Sequence, residues 1–562
     1  MPDSLAHRRQ LRFWGWGYAD EELASSEQAR LAELVTLTTG GAAVVAPPRL
    51  DEFALPAPRG RPPAALASIC SATPYDRLTH AYGKSFADGV RMLQRAVPRP
   101  PDWVAFPRDE AQIEGLLAWA DSARAAVVPF GGGTSVCGGV EAAVEGDYAL
   151  VLSIDLQYLN RVLEVDRSSR AALIEGGALG PELEAGLRPH QLTLRHFPQS
   201  FQFSTLGGWI ATRAGGHYAT QYTHIDDFVE SIRMLTPSGM LETRRLPGSG
   251  AGPAPDRMLL GSEGTLGLIT RAWMRVQDRP RFRASASIRF ANMSRACAAV
   301  HAISQAALFP SNCRLLDPLE AFLNGVGDGK VAVLVLAFES ADHPLDSWLA
   351  RALELVADHG GEWDPEAAQR SLRSAGAEEG EHRQGEAGAW RNQFLRAPYY
   401  RNYLTPRGVM ADTFETAITW DRFESLYQGV QEAVGRAIRQ STGADGMLSC
   451  RFTHVYPDGP APYFTFYARG TGSGDMAAML DRWRQIKLAA NEAVTALGGT
   501  VTHHHAVGRD HRPMGYDRQV PALFRAAFAG ARAVLDPGGM MNPGVLLDTP
   551  ARGATAGGIL GT

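Results

Sequence analysis

The chain predicts an α+β protein of more than one domain, and three observations carry that expectation. Its 562 residues exceed what one hydrophobic core supports, since single cores stop growing at roughly 250–300 residues. Asp109 opens a helical pattern with Ile113, Leu116, Leu117 and Ala120 on one face, and the pattern runs into Ala125-Ala126-Val127-Val128, an apolar run of strand length. After Pro280 the texture changes: residues 282–289 alternate like a strand, residues 294–308 have helical spacing, and residues 331–338 read as another strand. That predicts a second α+β unit.

The bulk composition narrows the function classes. Hydrophobic content of 45% and charged content of 20% are ordinary for a globular enzyme. A formal net charge of −5, with no run of like charges, disfavours a nucleic-acid partner. The five cysteines (Cys70, Cys137, Cys297, Cys313 and Cys450) are scattered and form no Cys-x-x-Cys pair, which points to free thiols in a reducing compartment. The first residues contain no apolar stretch of signal-peptide length, and no window approaches the ~18 uncharged apolar residues that cross a bilayer. A cytoplasmic protein is expected; a peripheral membrane contact would leave no such mark.

In chain order, residues 1 to about 85 read as an irregular arm, with an aromatic cluster at residues 13–18 and a Pro-rich stretch at residues 47–63. The helix and strand described above lead into Pro129-Phe130-Gly131-Gly132-Gly133-Thr134-Ser135. Residues 148–156 and 161–165 are further strands. Gly376 to Gly388 has no apolar face and predicts a mobile loop; the Gly- and Ala-rich tail beyond Ala551 is expected to fray. The expected divisions are an arm over 1–90, a first domain over 91–279, a second over 280–500 and a closing segment over 501–562.

The glycine loop suggests chemistry. Glycine backbone can take positive φ and approach a bulky anion, and converging amides with the Thr134 and Ser135 hydroxyls make a donor-lined concavity suited to a pyrophosphate. No Lys-Ser or Lys-Thr follows, and Val136 stands where a nicotinamide-type loop would have its third glycine. Alone, the loop reads equally as a surface turn. Two further runs of small and hydroxylated residues lie in the same block, residues 196–216 and residues 261–267. Three such runs point to one flat, polar ligand wrapped by all of them.

Together these segments resemble the vanillyl-alcohol-oxidase (PCMH-type) flavoproteins, and within that class most resemble the alkyldihydroxyacetonephosphate synthase family. The resemblance runs from about Arg8 to Asn542 and includes Trp14-Gly15-Trp16-Gly17-Tyr18 and His503-His504-His505. It implies a PCMH-type FAD-binding domain of two α/β subdomains, a cap domain with an antiparallel sheet, and a C-terminal segment returning to the flavin. It also implies non-covalent FAD, held by Pro129 to Ser135, by Gln199-Ser200-Phe201-Gln202-Phe203-Ser204-Thr205, by Thr212-Arg213-Ala214-Gly215 and by Glu263-Gly264-Thr265-Leu266-Gly267-Leu268-Ile269.

The reaction implied is exchange of the acyl group of acyl-dihydroxyacetone phosphate for a fatty alcohol, with no net redox change. Tyr463 matches the tyrosine that assists proton removal. Arg401 matches the arginine on the substrate phosphate, where a guanidinium suits bidentate contact. Arg314 and His196 match further substrate positions, and His503, His504 and His505 an active-site role. A homodimer is implied as well. A phenol titrates near about 10 when unperturbed, so Tyr463 needs cationic or hydrogen-bonding neighbours to act as a base.

No metal site is expected. On a strand His503 and His505 would share one face and His504 the other, an awkward arrangement for one ion. The alternative reading is an FAD-linked oxidase of 2-hydroxy acids. It is disfavoured because Tyr463 replaces the second histidine of that pattern and His504 replaces its glutamate. Thr223-His224 departs from the synthase pattern, which has Gly-Asn there.

Overall fold

The computed structural model describes residues 8–222, 224–373 and 396–549. The stretch at residues 376–388 and the tail beyond Ala551, both read above as mobile, lie outside the described residues, as does Thr223.

The first sheet is built around the strand that feeds the glycine loop. β1 (Cys70–Ser71), β2 (Trp103–Ala105), β3 (Ala125–Phe130) and β4 (Leu150–Asp155) lie in the order β1-β2-β4-β3, with β2 and β3 parallel to β4. β3 and β4 are near-continuous apolar runs because both faces are covered. The helix Glu110–Ser122 buries Ile113, Leu116 and Leu117 in the same core, and the Asp109 side chain caps it by accepting from the Gln112 amide. The end of the chain closes on this sheet: the Val127 amide donates to Met540 O and the Asn542 amide to Val127 O, both at 2.8 Å.

β5 (Val162–Asp166), β6 (Ala171–Glu175), β7 (Leu192–Thr193), β8 (Val229–Thr236), β9 (Gly239–Glu242), β10 (Leu268–Arg275) and β11 (Gln277–Asp278) follow. Five of them form a sheet in the order β5-β6-β10-β8-β9, and β7 pairs with β11. The expected strand at residues 161–165 therefore belongs to this second, antiparallel sheet and not to that of β3.

The cap is one antiparallel sheet. β12 (Phe282–Phe290), β13 (Asn312–Leu316), β14 (Ala332–Ser340), β15 (Glu362–Trp363), β16 (Val409–Glu415), β17 (Met447–Val455) and β18 (Pro460–Arg469) run in the order β15-β12-β14-β13-β17-β18-β16. Alternation divides β16 to β18 between two faces. Met410, Phe414, Cys450, Phe452, Phe464 and Phe466 pack into the main core with the helices Trp420–Thr442 and Met476–Ala496. The opposite face, carrying Ala411, Thr413, Arg451, Tyr463, Thr465 and Tyr467, lines a cavity.

The N-terminal arm is not irregular throughout. Ser25–Thr39 is a helix whose Leu31 and Val35 pack on Tyr400, Leu404, Val409 and Ala411 of the cap, and residues 70–93 contribute β1 and the helices Pro74–Thr79 and Phe86–Leu93. Only Leu31, Val35 and Thr39 of the first helix are buried while Leu37 is exposed, so its apolar residues do not mark a single face in the sequence.

Candidate active site

Two adjoining cavities, of ≈ 490 and ≈ 110 Å³, share Gly131, Ser135, Thr205, Gly208 and Thr212 in their walls. Into the larger open Gly131 to Ser135, Gln199, Ser200, Ser204, Ala214 and Gly215; into the smaller, Pro129, Phe130, Glu263, Gly264, Gly267, Leu268 and Ile269. The four segments that sequence reading joined thus meet around one continuous space. A glycine- and hydroxyl-lined channel that widens toward ionisable side chains fits a dinucleotide carrying a flat ring.

The loop glycines answer first to the protein itself. A Cβ on Gly132 would stand 1.5 Å from the Phe203 carbonyl oxygen, and one on Gly131 would meet Thr205 Oγ1. Gly133 has φ +64°, which disfavours a side chain. The close approach that sequence reading assigned to a ligand is therefore used at Gly132 for a neighbouring backbone.

Several expected cofactor residues back the cradle and do not line it. Gln202 accepts from the Tyr399 hydroxyl at 3.0 Å, Phe203 packs on Tyr18 and Tyr399, and Phe201 packs on Phe197. Thr265 and Leu266 are fully buried. Arg213 pairs with Asp226 on the wall of a different cavity. The Glu263 carboxylate accepts from the Val507 and Gly508 amides at 2.8 and 2.7 Å, so it ties the closing segment to the cradle; burial raises it to about 7 against those two bonds.

On the cap side, strand register sets the chemistry. Tyr463 on β18 stands directly opposite Arg451 on β17 and Glu415 on β16. Its hydroxyl donates to Thr413 Oγ1 at 3.0 Å, and the Arg451 guanidinium lies 4.0 Å from its ring centroid. Burial pushes the phenol above the ordinary tyrosine value, against the pull of Arg451, Thr413 and Arg401. The cationic neighbours required by the sequence reading are present, yet desolvation outweighs them and the phenol keeps its proton at neutral pH.

Arg401 lines the same cavity and donates to Asp412 Oδ1 at 2.7 Å, while Trp483 Nε1 donates to the other oxygen at 2.7 Å. Arg451 pairs with Glu320 at 2.5 Å. Arg314 is fully buried with its Nη2 2.9 Å from His217 Nδ1, and burial together with neighbouring Arg451 brings it down to about 9. Three guanidiniums thus line one partly apolar cavity, those of Arg401 and Arg451 each paired with a carboxylate.

The histidine triplet does not lie on a strand. Residues 502–505 curl around the Glu415 carboxylate, which accepts from Thr502 Oγ1 at 2.6 Å and from the amides of His503, His504 and His505 at 2.7, 3.2 and 3.1 Å. Burial opposes that charge, but the three histidines and Thr502 outweigh it and hold Glu415 well below the usual carboxylate range. The curl sends His504 and His505 into the cavity beside Tyr463, with ring centroids 6.0 and 5.5 Å from the phenol ring. His503 instead faces a separate ≈ 1220 Å³ cavity lined by Tyr456, His224, Phe524 and Phe528. Burial brings His504 down to about 3 and His505 to about 4, with Glu415 opposing, so both imidazoles are neutral at physiological pH.

His196 is not among the residues that line the cavity. It is buried behind Gly216, its ring packed on Trp209 and Phe228, and desolvation lowers it to about 3. It backs the cavity wall at Gly216. The sequence reading missed Glu415, Arg451, Thr413 and Asp412, whose only trace in the sequence is polar residues within strand-like runs.

Comparison with known proteins completes the picture. A model described as "FAD binding domain" matches residues 101–244, and one described as "FAD linked oxidases, C-terminal domain" matches residues 279–546. These define the class: a flavoprotein of the FAD-linked oxidase type, with a PCMH-type FAD-binding domain and FAD as its cofactor. The alkyldihydroxyacetonephosphate synthase of Dictyostelium discoideum is 29% identical over 499 residues, covering 84% of this chain and 77% of that protein. That of Caenorhabditis elegans is 30% identical over 454 residues, covering 77% and 74%. A solved alkyldihydroxyacetonephosphate synthase superposes with a TM-score of 0.77 at 23% identity, over 95% of this chain and 99% of that one. The chain belongs to the alkyldihydroxyacetonephosphate synthase family.

Proposed function

We propose that the protein exchanges the acyl group of acyl-dihydroxyacetone phosphate for a fatty alcohol, forming the ether bond of an ether lipid precursor. One observation carries the reading: a phenol, two neutral imidazoles and three guanidiniums share a cavity with the glycine cradle. Bound FAD would supply an electron-accepting ring system, and Gly131 to Ser135, Thr205 and Thr212 would hold it.

The protein's own part is binding and proton handling. Arg401, Arg314 and Arg451 bind and orient the phosphate. Tyr463 keeps its own proton and, with its hydroxyl fixed by Thr413, assists transfer of a proton from substrate C1 to a neutral imidazole, His504 or His505, which returns it to C1 once the exchange is complete. In the exchange the C1–O bond to the acyl group breaks with its electron pair leaving on the fatty carboxylate. The alcohol oxygen forms the new bond to C1 and gives up its hydroxyl proton, which the second imidazole accepts and the departing fatty carboxylate takes up. Electrons balance with no net oxidation.

No helix among the described residues is long and apolar enough to cross a membrane. A cytoplasmic homodimer that touches lipid peripherally is part of the same proposal. The exposed Leu523, Phe524 and Val534, on one helix beside the ≈ 1220 Å³ cavity, favour the lipid contact. The test is anaerobic incubation with acyl-dihydroxyacetone phosphate and labelled fatty alcohol. Label in an alkali-stable ether, abolished by Tyr463→Phe in a protein that stays yellow, is expected. Bleaching of the flavin by 2-hydroxy acids without ether formation would overturn the reading.

A further inference from the structure

We propose that His454, His503 and His504 form a binding site for a divalent first-row transition cation, with Zn²⁺ the ion best matched to it. Alternation on a strand would have kept neighbouring histidines apart. Glu415 instead collects the amides of residues 503–505, and the curl it imposes brings His503 Nδ1 and His504 Nδ1 to 3.0 Å. His454 completes the group because β17 carries a bulge between Phe452 and His454, which shifts the strand's register against β18. One donor nitrogen from each of the three residues then falls within 4.8 Å of the others. An ion with bonds of about 2.0–2.1 Å sets tetrahedral ligands roughly 3.3 Å apart, so small side-chain rotations convert the cluster into a coordination shell.

The surrounding hydrogen bonds leave an unprotonated nitrogen on the imidazoles. His454 Nε2 donates to the Gly216 carbonyl at 3.0 Å, which fixes the proton there and leaves Nδ1 unprotonated, with a lone pair free to bind a metal. The Thr453 hydroxyl beside that Nδ1 has Ala461 O as its acceptor, at 3.2 Å. His503 Nε2 is 3.0 Å from the Tyr456 hydroxyl, which orients the ring with Nδ1 facing His504. A carbonyl and a hydroxyl on the outer nitrogens are the partners that orient metal-bound imidazoles. Glu415 Oε2, 3.4 Å from His504 Nδ1, adds negative charge at the edge of the site. Three imidazoles suit zinc, copper or nickel and disfavour magnesium or calcium. They also leave a coordination position open, in the partition between the flavin-side cavity, which His454 and His504 line, and the larger one that His503 faces.

The proposal does not rest on the ether-forming reading and fails separately from it. The FAD-loaded full-length protein is stripped with a chelator, dialysed, and titrated with ZnCl₂ against a chromophoric competitor. One equivalent per chain is expected, weakened at least about 30-fold by His454→Gln and by His503→Gln, since even loss of a partner behind a ligand costs about 10–100-fold, and unchanged by His343→Gln at an exposed position. FAD absorbance reports that each variant is folded. No competition for zinc, or equal binding by wild type and both variants, overturns the site. Should a variant lose FAD, anomalous scattering at the zinc edge from wild-type crystals decides: a peak bonded to the three imidazoles supports the site, and a peak only elsewhere, or none, refutes it.

Discussion

Glu415→Gln tests how the active-site imidazoles are held. The substitution keeps volume and removes one charge from a carboxylate that accepts four hydrogen bonds, three on Oε1 and one on Oε2. With the amide oxygen at the Oε1 position, three bonds survive in weaker neutral form. The new NH₂ then faces the His503 amide, which had donated to Oε2 at 2.7 Å. Hydrogen bonds to charged groups contribute about 1.5–3 kcal/mol each, and an unsatisfied buried amide costs about 1–3 kcal/mol, so a total loss of about 3–5 kcal/mol is expected. Part of it appears as displacement of the 502–505 curl. If about 2 kcal/mol is lost from the transition state, kcat falls roughly 30-fold. The assay is kcat at saturating substrates together with FAD content and thermal unfolding. Retained FAD, a lowered unfolding transition and a kcat reduced at least about tenfold are expected. Unchanged unfolding and unchanged kcat would refute the claim that this carboxylate holds the histidines.

The remaining expectations are simpler to state. Arg401→Ala should raise KM for the phosphate substrate about 10- to 100-fold with a smaller effect on kcat, a loss of about 1.5–3 kcal/mol for one charge-assisted contact; an unchanged KM rules out phosphate binding there. Gly132→Ala places a methyl 1.5 Å from the Phe203 carbonyl oxygen, so the loop must move and the protein should purify without its yellow colour, read by absorbance. Stability should fall with acid. His196 and His504 are held to about 3 and His505 and His511 to about 4, while unfolded histidines titrate near about 6.5. Between those values the unfolded chain binds protons that the folded chain refuses, so stability is full above pH ~6.5 and is lost as pH falls, by up to about 1.4 kcal/mol per pH unit for each imidazole. Glu263, Asp317 and Asp510, each raised to about 7, and Glu141, Glu184 and Asp536, also raised by burial, oppose this, since their contribution is lost as pH rises. With His224, His454 and His503 also lowered, the imidazoles outnumber these carboxyls. A transition temperature that rises between pH 6.5 and 5 would contradict the assignment.

Local rules carried the sequence reading a long way where the signal was local. Asp109 before Ile113, Leu116 and Leu117 is a helix start, and residues 125–128 are a buried strand, because periodicity and capping act over a few residues. The glycine and hydroxyl runs marked the cradle, since backbone that must pack closely excludes side chains whatever it meets. The composition of one segment did not say what a glycine would meet. Gly132 is needed by Phe203, some 70 positions away, and His196, placed in a promising run, packs behind Gly216.

What the sequence determined by itself was the set of segments and residue types: the glycine loop, the tyrosine on its strand, the arginines and the histidine triplet. The tertiary structure alone decided which way they face. Antiparallel register puts Arg451, Tyr463 and Glu415 in one row across three strands that are distant in sequence. The Glu415 carboxylate then bends a run that would alternate on a strand into a curl, dividing His503 from His504 and His505 between two cavities. Side-chain direction follows from hydrogen bonds between remote segments, and no window of neighbouring residues contains them.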